Sequence, residues 1–358
     1  MSDRENPPET MLQRLGLDGL VSWVRDQEVS DDALTWTRFC GSLLLALVVL
    51  LCFSGVFICF SYSPAPGIAY DSVDYGQFQL PFGGIVRGVH YYAWNLLLVV
   101  MGLHLARAFL VGSYKAPREF VWVSGAVILV VVPAFIITGD LLPWDQKGYW
   151  STQVRNSIMA SVPLAGDFLV RVLQGGPRTG IVALTRFYVL HIMVLPVILL
   201  LLIALHLRVL RHRGLASPLS GGQLPRRVAP LLPTMLNRWL FLFLVVSIVL
   251  GLVAWYWPAP LGDPADPTDV SFVPKPEWWV LALNQLVAIF KGPLTVIGTT
   301  IIPGGVMALL MALPFLDRSP ECHPARRKKA MLVATVIAII FLALSVMGYI
   351  EHHFTSSP

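Results

Sequence analysis

Two stretches decide the fold of this chain: GVHYYAWNLLLVVMGLHLA at residues 88–106 and VLHIMVLPVILLLLIALHLR at residues 189–208. Each is long and apolar enough to form a membrane-spanning helix, and each contains two histidines. His90 and His104 are 14 residues apart, and His191 and His206 are 15 residues apart. At about 1.5 Å and about 100° per residue, the members of each pair are about 21–22 Å apart on nearly the same helix face. The pattern predicts two stacked sites between two membrane helices.

The composition is that of an integral membrane protein. Of the 358 residues, 56% are hydrophobic and only 13% are charged, whereas soluble domains carry about 25% charged residues. The net charge of +5 follows the predicted topology and does not indicate nucleic-acid binding. The four cysteines show neither a CxxC nor a zinc-site spacing, so disulfides and a zinc site are not expected.

Seven apolar segments are long enough to cross a bilayer. They lie at about residues 38–61, 86–110, 119–139, 185–210, 238–257, 293–316 and 329–350. We therefore predict an all-α integral membrane fold, with a four-helix haem-binding bundle followed by three further spans. The predicted domains are an N-terminal cytoplasmic segment with an amphipathic stretch at 10–25 (1–37), a four-span domain (38–215) and a three-span domain (216–358).

Two connections are too long to be simple links between spans. Residues 140–184 and 258–292 each contain short apolar runs, which predict short helices lying on one surface. Long connections on one face of a rigid bundle are where a binding site is expected.

Lysine and arginine predict the orientation. With seven spans, the basic N-terminal segment and the loops 111–118, 207–238 and 317–329 all fall on one side, which is expected to be cytoplasmic. The protein is thus predicted to be multi-pass in a bacterial inner membrane, with a cytoplasmic N-terminus. The opposite loops carry Asp71, Asp74, Asp140, Asp145, Asp263, Asp266, Asp269 and Glu277. This topology pairs His90 with His191 near the outer face, and His104 with His206 near the inner face.

Histidines inside membrane helices are costly and usually functional. A single one is compatible with a hydrogen bond between helices, but four in two matched pairs favour the ligation of two b-type haems. Two histidine ligands leave the iron no open position, which suits electron transfer.

Glycines and arginines accompany the histidines. Gly41 and Gly55, and likewise Gly125 and Gly139, repeat the 14-residue spacing and would let a flat macrocycle approach the backbone. The alternative is helix packing through small residues. The two arginines near the outer histidines are predicted to pair with haem propionates, or alternatively to extend to the membrane interface. They are Arg87 and Arg186.

Several motifs resemble those of one known family. They are GDLLPWDQKGYW at 139–150, LTRFYVLH at 184–191, PEWW at 276–279 and PFLDRSP at 314–320. With the histidine and glycine spacings, they make residues 35–320 resemble cytochrome b of the quinol-oxidising bc complexes. The 15-residue spacing, PWDQ and seven spans resemble the chloroplast-type branch, cytochrome b6 with subunit IV, here fused in one chain. Trp279 departs from the family's PEWY motif.

The resemblance implies an oxidoreductase subunit of a Rieske/cytochrome b complex. It implies that quinol binds at the outer face, that Glu277 accepts a proton there, and that one electron leaves to a Rieske iron–sulfur protein. The second electron passes through both haems to a quinone at the inner face, contributing to proton translocation. Further implied partners are a c-type cytochrome, membrane lipid and a second copy of the complex. The quinol pocket would be lined by Pro276, Trp278, Trp279 and Tyr149.

Further functional residues are expected at the inner face. Arg211 matches a basic residue that chloroplast-type proteins use near the inner quinone. Asp31 and Asp32 either supply protons or are solvated charges at a helix start. The resemblance also suggests that Cys40 attaches a third, c-type haem, the alternative being a buried thiol.

Two other functions compete with this hypothesis. One is a dihaem membrane anchor of a quinone-linked dehydrogenase or hydrogenase, but such anchors lack PEWW and the two long outer connections. The other is a haem-free transporter or scaffold, which needs polar residues or broken helices at the midplane. The chain offers mainly prolines there, without accompanying charges.

Overall fold

Seven long apolar helices form the body of the molecule, as the sequence predicts. The computed structural model describes residues 28–30, 39–176, 178–214, 228–230 and 236–352. The spans within these residues begin and end within a few residues of their predicted limits. The helices are Phe39–Cys59 (α1), Ala69–Phe78 (α2), Gly83–Leu110 (α3), Glu119–Asp140 (α4), Gln146–Ala160 (α5), Gly166–Gln174 (α6), Ile181–Arg213 (α7), Leu236–Tyr256 (α8), Trp278–Ile289 (α9), Gly292–Leu316 (α10) and Lys328–Ile350 (α11).

Four short helices, α2, α5, α6 and α9, lie at one end of the bundle, here called the cap face. The sequence predicts helices in the two long connections, and α5, α6 and α9 confirm them. The sequence did not predict α2. The two long connections contact each other at the cap face, where the Gln146 backbone N–H donates to the Asp263 carbonyl at 2.9 Å. The Asp145 side chain caps α5 by accepting from the Gly148 N–H at 2.8 Å.

The first four spans pack as two pairs, α1 with α3 and α4 with α7. The later spans pack around them: α8 contacts α3 and α1, and α10 contacts α4. Gly88 marks the tightest of these crossings, since a Cβ there would lie 2.5 Å from the Ala254 Cβ of α8. Absence of a side chain at Gly88 therefore sets how closely α8 approaches the bundle.

Helix α7 is not regular along its length. Its residues Leu190–Val194 form a π-helical turn that contains His191 and lies just before Pro196. A second π-helical turn, Ile297–Ile301 in α10, similarly precedes Pro303. Proline has no N–H and its ring crowds the carbonyl four residues earlier, so the turn before it can widen. Both irregular turns thus end two residues before a proline, although Pro133 in α4 has no such turn before it.

The opposite end of the bundle, here called the loop face, carries the connections 111–118 and 317–327. Arg327, only 5% exposed, joins them. Its guanidinium donates to the carbonyls of Phe109 and Leu110 at 2.9 and 2.7 Å and to the Tyr114 hydroxyl at 2.9 Å. A cation at the carbonyl end of α3 also complements the helix dipole. We call this group the Arg327 clamp.

A second buried contact reinforces the clamp. The Lys115 ammonium lies 2.8 Å from the Asp317 carboxylate, and the Tyr114 hydroxyl donates to the same carboxylate. Burial alone would raise the pKa of Asp317, but these hydrogen bonds outweigh it and hold the pKa below its ordinary value. The carboxylate is therefore kept ionised where the two parts of the chain meet.

A short antiparallel pair of strands, Glu28–Ser30 (β1) and Val228–Pro230 (β2), is the only sheet in the described part of the chain. The predicted amphipathic stretch 10–25 and the residues Asp31 and Asp32 lie outside the described residues.

Candidate functional site

The four histidines form two pairs, one toward each end of the bundle. His90 in α3 and His191 in α7 lie toward the cap face, with 6.3 Å between their ring centres. His104 and His206 occupy the same helices closer to the loop face and interact electrostatically with each other. Metal–imidazole nitrogen bonds are about 2 Å long, so two imidazoles that share one ion have ring centres about 6 Å apart. The first pair thus has the spacing that two imidazoles would need to hold one metal ion between them.

Three of the histidines bond a hydroxyl group of a neighbouring helix through Nδ1. The contacts are Ser54 with His90 at 2.9 Å, Thr138 with His191 at 3.2 Å, and Ser124 with His206 at 2.9 Å. The Nδ1 atom of His191 also lies 3.0 Å from the Phe135 carbonyl oxygen. These contacts fix the orientation of each imidazole ring.

The hydroxyl groups also determine which ring nitrogen carries the proton. Each donates its one proton to a carbonyl of its own helix, at 2.8 Å for Ser54, 2.8 Å for Thr138 and 3.0 Å for Ser124. Each hydroxyl must therefore accept from the histidine, which places the imidazole proton on Nδ1. The Nε2 lone pair is left free, as a metal ligand requires.

The four predicted glycines lie directly against the histidines. A Cβ at these positions would come close to the Cε1 atom of the facing imidazole. The distances are 2.7 Å for Gly139 to His191, 3.3 Å for Gly55 to His90, 3.4 Å for Gly125 to His206, and 3.7 Å for Gly41 to His104. The glycines on α1 and α4 thus leave room for the rings from α3 and α7.

Sequence reasoning missed the hydroxyl residues, although a signal for them exists. We call Gly41, Gly55, Gly125 and Gly139, which repeat the 14-residue spacing of the histidines, the frame glycines. Ser54, Ser124 and Thr138 each directly precede a frame glycine. The fourth frame position is Cys40, which directly precedes Gly41. A Ser-Gly or Thr-Gly pair repeated in step with histidines would have indicated these ring-orienting residues.

Glu277 lies at the cap face, at the start of α9. Its carboxylate forms an ion pair with Lys147 of α5, and Lys147 also lies 3.4 Å from Asp140 at the end of α4. Burial alone would lower the pKa of Lys147, but the Asp140 and Glu277 carboxylates outweigh it and raise that pKa above its ordinary value. Sequence reasoning missed Lys147, because 130 residues separate it from Glu277.

The four predicted pocket residues differ in their exposure and in their partners. Trp278 is 47% exposed, and its indole N–H donates to Asn95 of α3 at 2.8 Å. Pro276 and Trp279 are half-buried, and the indole N–H of Trp279 is buried without a partner among the described residues. Tyr149 instead lies in a closed cluster, only 2% exposed, between Trp144 and Trp150.

Two family models match most of the chain. One, described as cytochrome b(N-terminal)/b6/petB, matches residues 95–264, and the other, cytochrome b(C-terminal)/b6/petD, matches residues 264–356. A cytochrome bc complex cytochrome b subunit of Chlorobaculum thiosulfatiphilum is 32% identical over 334 residues, which is 91% of this chain and 76% of that protein. The chain belongs to the cytochrome b/b6 family.

Further relatives support membership of the cytochrome b/b6 family. A cytochrome b6 of Prochlorococcus marinus subsp. pastoris is 34% identical over 220 residues, covering 61% of this chain and all of that protein. A chain in the solved structure of a hyperthermophilic respiratory Complex III superposes with a TM-score of 0.78 at 26% identity. That likeness covers 97% of this chain and 91% of the other.

The predicted propionate arginines of this cytochrome b/b6 chain bond backbone carbonyls. Arg87 donates to the carbonyls of Ala259 and Pro260 at 3.0 and 2.7 Å. Arg186 donates to the Arg171 carbonyl of α6 at 3.2 Å. Both arginines therefore hold cap-face segments in place, and their pairing with propionates stays a prediction.

Two predicted residues lie toward the loop face. Cys40 is half-buried at the start of α1, where it packs against the main apolar core and directly precedes Gly41. Arg211 is exposed in the last turn of α7. The placement of Cys40 is compatible both with a third, covalently attached c-type haem and with a buried thiol.

Proposed function

We propose that this cytochrome b/b6 family member is the cytochrome b subunit of a quinol-oxidising bc-type complex in a bacterial cytoplasmic membrane. The observation that carries the proposal is the two histidine pairs, in which three of the four imidazoles have their Nδ1 proton engaged and Nε2 left free. His90 and His191 would hold one b-type haem, and His104 and His206 the second. Haem with two histidine ligands supplies one-electron transfer.

Quinol is proposed to bind at the cap face, which would be the outer face. The support is the position of PEWW, where the start of α9 meets α3 and α5. Glu277 would accept one quinol proton, because a carboxylate within reach of the hydroxyl can act as a general base. Trp278 is anchored to α3, and Trp279 offers an indole N–H without a partner among the described residues.

Orientation and partners complete the proposal. The basic loops would place the loop face and the N-terminus in the cytoplasm. A second quinone would be reduced at that side near Arg211, so that turnover contributes to proton translocation. A Rieske protein and a c-type cytochrome would receive electrons from the outer site. Lipid and a second copy of the complex would contact the exposed apolar faces of the spans.

The third haem at Cys40 belongs to the same proposal, and a buried thiol is the alternative. In three of four places the residue before the frame glycine contacts a histidine, and Cys40 holds the fourth. Acid–acetone extraction distinguishes the two. Haem retained on the chain supports the covalent site, and complete loss rules it out.

Optical spectroscopy of the purified protein tests the cofactor assignment. We expect two reducible b-type haems per chain. Their absence would reject the proposed function and favour a haem-free membrane protein. For the outer site, Glu277→Gln should slow quinol oxidation at least several-fold with both haem spectra intact. Unchanged turnover would remove Glu277 from the mechanism.

A further inference from the structure

Four charged side chains from three segments meet beside PEWW. Lys147 of α5 contacts Glu277 closely and lies 3.4 Å from one Asp140 oxygen. The other Asp140 oxygen accepts from the Arg155 guanidinium at 2.8 Å. Arg155 is tied in turn to the Thr152 hydroxyl at 3.0 Å. The contacts form a continuous chain from Glu277 to Arg155.

The network is balanced in charge and partly screened from water. It contains two carboxylates and two cations, with the Asp140 and Glu277 side chains only 16% and 21% exposed. From α3, Tyr91 interacts electrostatically with both Glu277 and Lys147, and Arg87 interacts with Tyr91. A change of charge on Glu277 therefore acts most strongly on Lys147, its nearest charged neighbour.

We propose that Lys147 is a positioning residue for the proton-accepting carboxylate, an inference that rests on the proposed role of Glu277. Its ammonium pairs with the Glu277 carboxylate and holds that carboxylate in place beside PEWW, where the proposed quinol would give up its proton. Asp140 retains the ammonium after Glu277 is neutralised, because both carboxylates face the same Nζ atom.

The proton balance is simple. The O–H bond of a quinol hydroxyl breaks, an O–H bond forms on a Glu277 carboxylate oxygen, and Lys147 keeps its proton throughout. Protonation removes one negative charge, so the network of Lys147, Asp140, Arg155 and Glu277 becomes positive by one. That excess positive charge favours release of the proton from Glu277, which returns Glu277 to its carboxylate form.

The experiment compares pH profiles of quinol oxidation by membranes that contain the assembled complex, with a short-chain quinol as donor and a soluble c-type cytochrome as acceptor. In Lys147→Met, ionised Glu277 loses its nearest cation and becomes less favourable. The acidic limb of the kcat profile should therefore move to higher pH by about one unit, with several-fold slower turnover on that limb. Lys147→Arg keeps the cation and should restore the original profile.

Lys275→Met is the matched control, because Lys275 lies in the same connection as Glu277 and is exposed. Its profile should match the unmodified protein. Lys147→Gln serves if Lys147→Met assembles poorly, as judged by haem spectra. An unshifted profile, or a rate lowered equally at every pH, overturns the proposal for Lys147. Normal turnover of Glu277→Gln would instead overturn the proposed role of Glu277, so the two failures are distinguishable.

Discussion

At the scale of single residues, the four frame glycines differ in how much room the facing imidazole leaves. A Cβ at Gly139 would lie 2.7 Å from His191, whereas one at Gly41 would lie 3.7 Å from His104. The first distance requires a shift of the histidine or of the helix, and the second is ordinary van der Waals contact. The tolerance to alanine should therefore rise from Gly139 to Gly41.

We predict that Gly139→Ala loses about half of the bound haem, because His191 is displaced from its ligand position. Gly41→Ala should retain both haems. Haem content per chain and the reduced-minus-oxidised spectrum measure the effect. Gly102→Ala is the control, because a Cβ there would point into open space. Two intact haems in Gly139→Ala would contradict this prediction.

Single residues also differ in how far the sequence predicts their roles. The histidines and glycines were predictable because histidine is rare in apolar membrane helices and the spacing repeats. The contact between Lys147 and Glu277 was not predictable, because it depends on how the connections α4–α7 and α8–α10 fold over each other. The carbonyl partners of Arg87 could not be predicted from the sequence, because they too depend on how the connections fold.

At the scale of helices, the π-helical turn accounts for the unequal histidine spacings. A π-helical turn takes up about one residue more than an α-helical turn. The turn Leu190–Val194 contains His191, so it lies within the 15-residue interval of α7. That interval therefore advances about as far as the regular 14-residue interval of α3. Both helices then present their histidines at the same two levels, although their sequences differ by one residue.

Because of the π-helical turn, we predict that a one-residue change in the length of α7 affects haem content differently inside the turn and outside it. Deleting Met193 should let the turn become α-helical and keep both haems. Inserting one alanine after Leu201 should rotate His206 by about 100° and lose the second haem. The two variants change the length by one residue each, and their haem contents provide the comparison. Equal haem loss in both would contradict this role of the turn.

Helix prediction itself succeeded where apolar runs were long. The seven spans are each 21 residues or more, so composition alone identifies them. Helix α2, AYDSVDYGQF, was missed because it is short, polar and without an apolar run. The π-helical turns near Pro196 and Pro303 were missed because a proline alone does not predict one, as the regular helix around Pro133 shows.

At the scale of the whole molecule, the Arg327 clamp connects the four-span and three-span parts. Arg327→Ala would leave the buried carbonyls at the end of α3 and the Tyr114 hydroxyl without their donor. We expect a loss of about 3 kcal/mol or more in the free energy of unfolding. Thermal unfolding in detergent, followed by haem release, measures it.

The neighbouring Arg326 provides the control for this prediction. Its side chain is 73% exposed and pairs with Glu321 at 3.6 Å, so Arg326→Ala should cost at most about 1 kcal/mol. Similar unfolding temperatures for the two variants would show that the clamp contributes little to the join between the two parts.

The hydroxyl contacts of the histidines are unevenly distributed across the membrane. Toward the cap face both imidazoles have a hydroxyl partner, whereas toward the loop face, among the described residues, only His206 has one. An imidazole whose N–H is hydrogen-bonded is a more basic ligand and favours oxidised iron. If both pairs hold haem as proposed, this difference predicts a lower reduction potential for the cap-face haem than for the loop-face haem. The bundle would then carry an electrical polarity of its own, in which electrons run downhill from the cap face to the loop face.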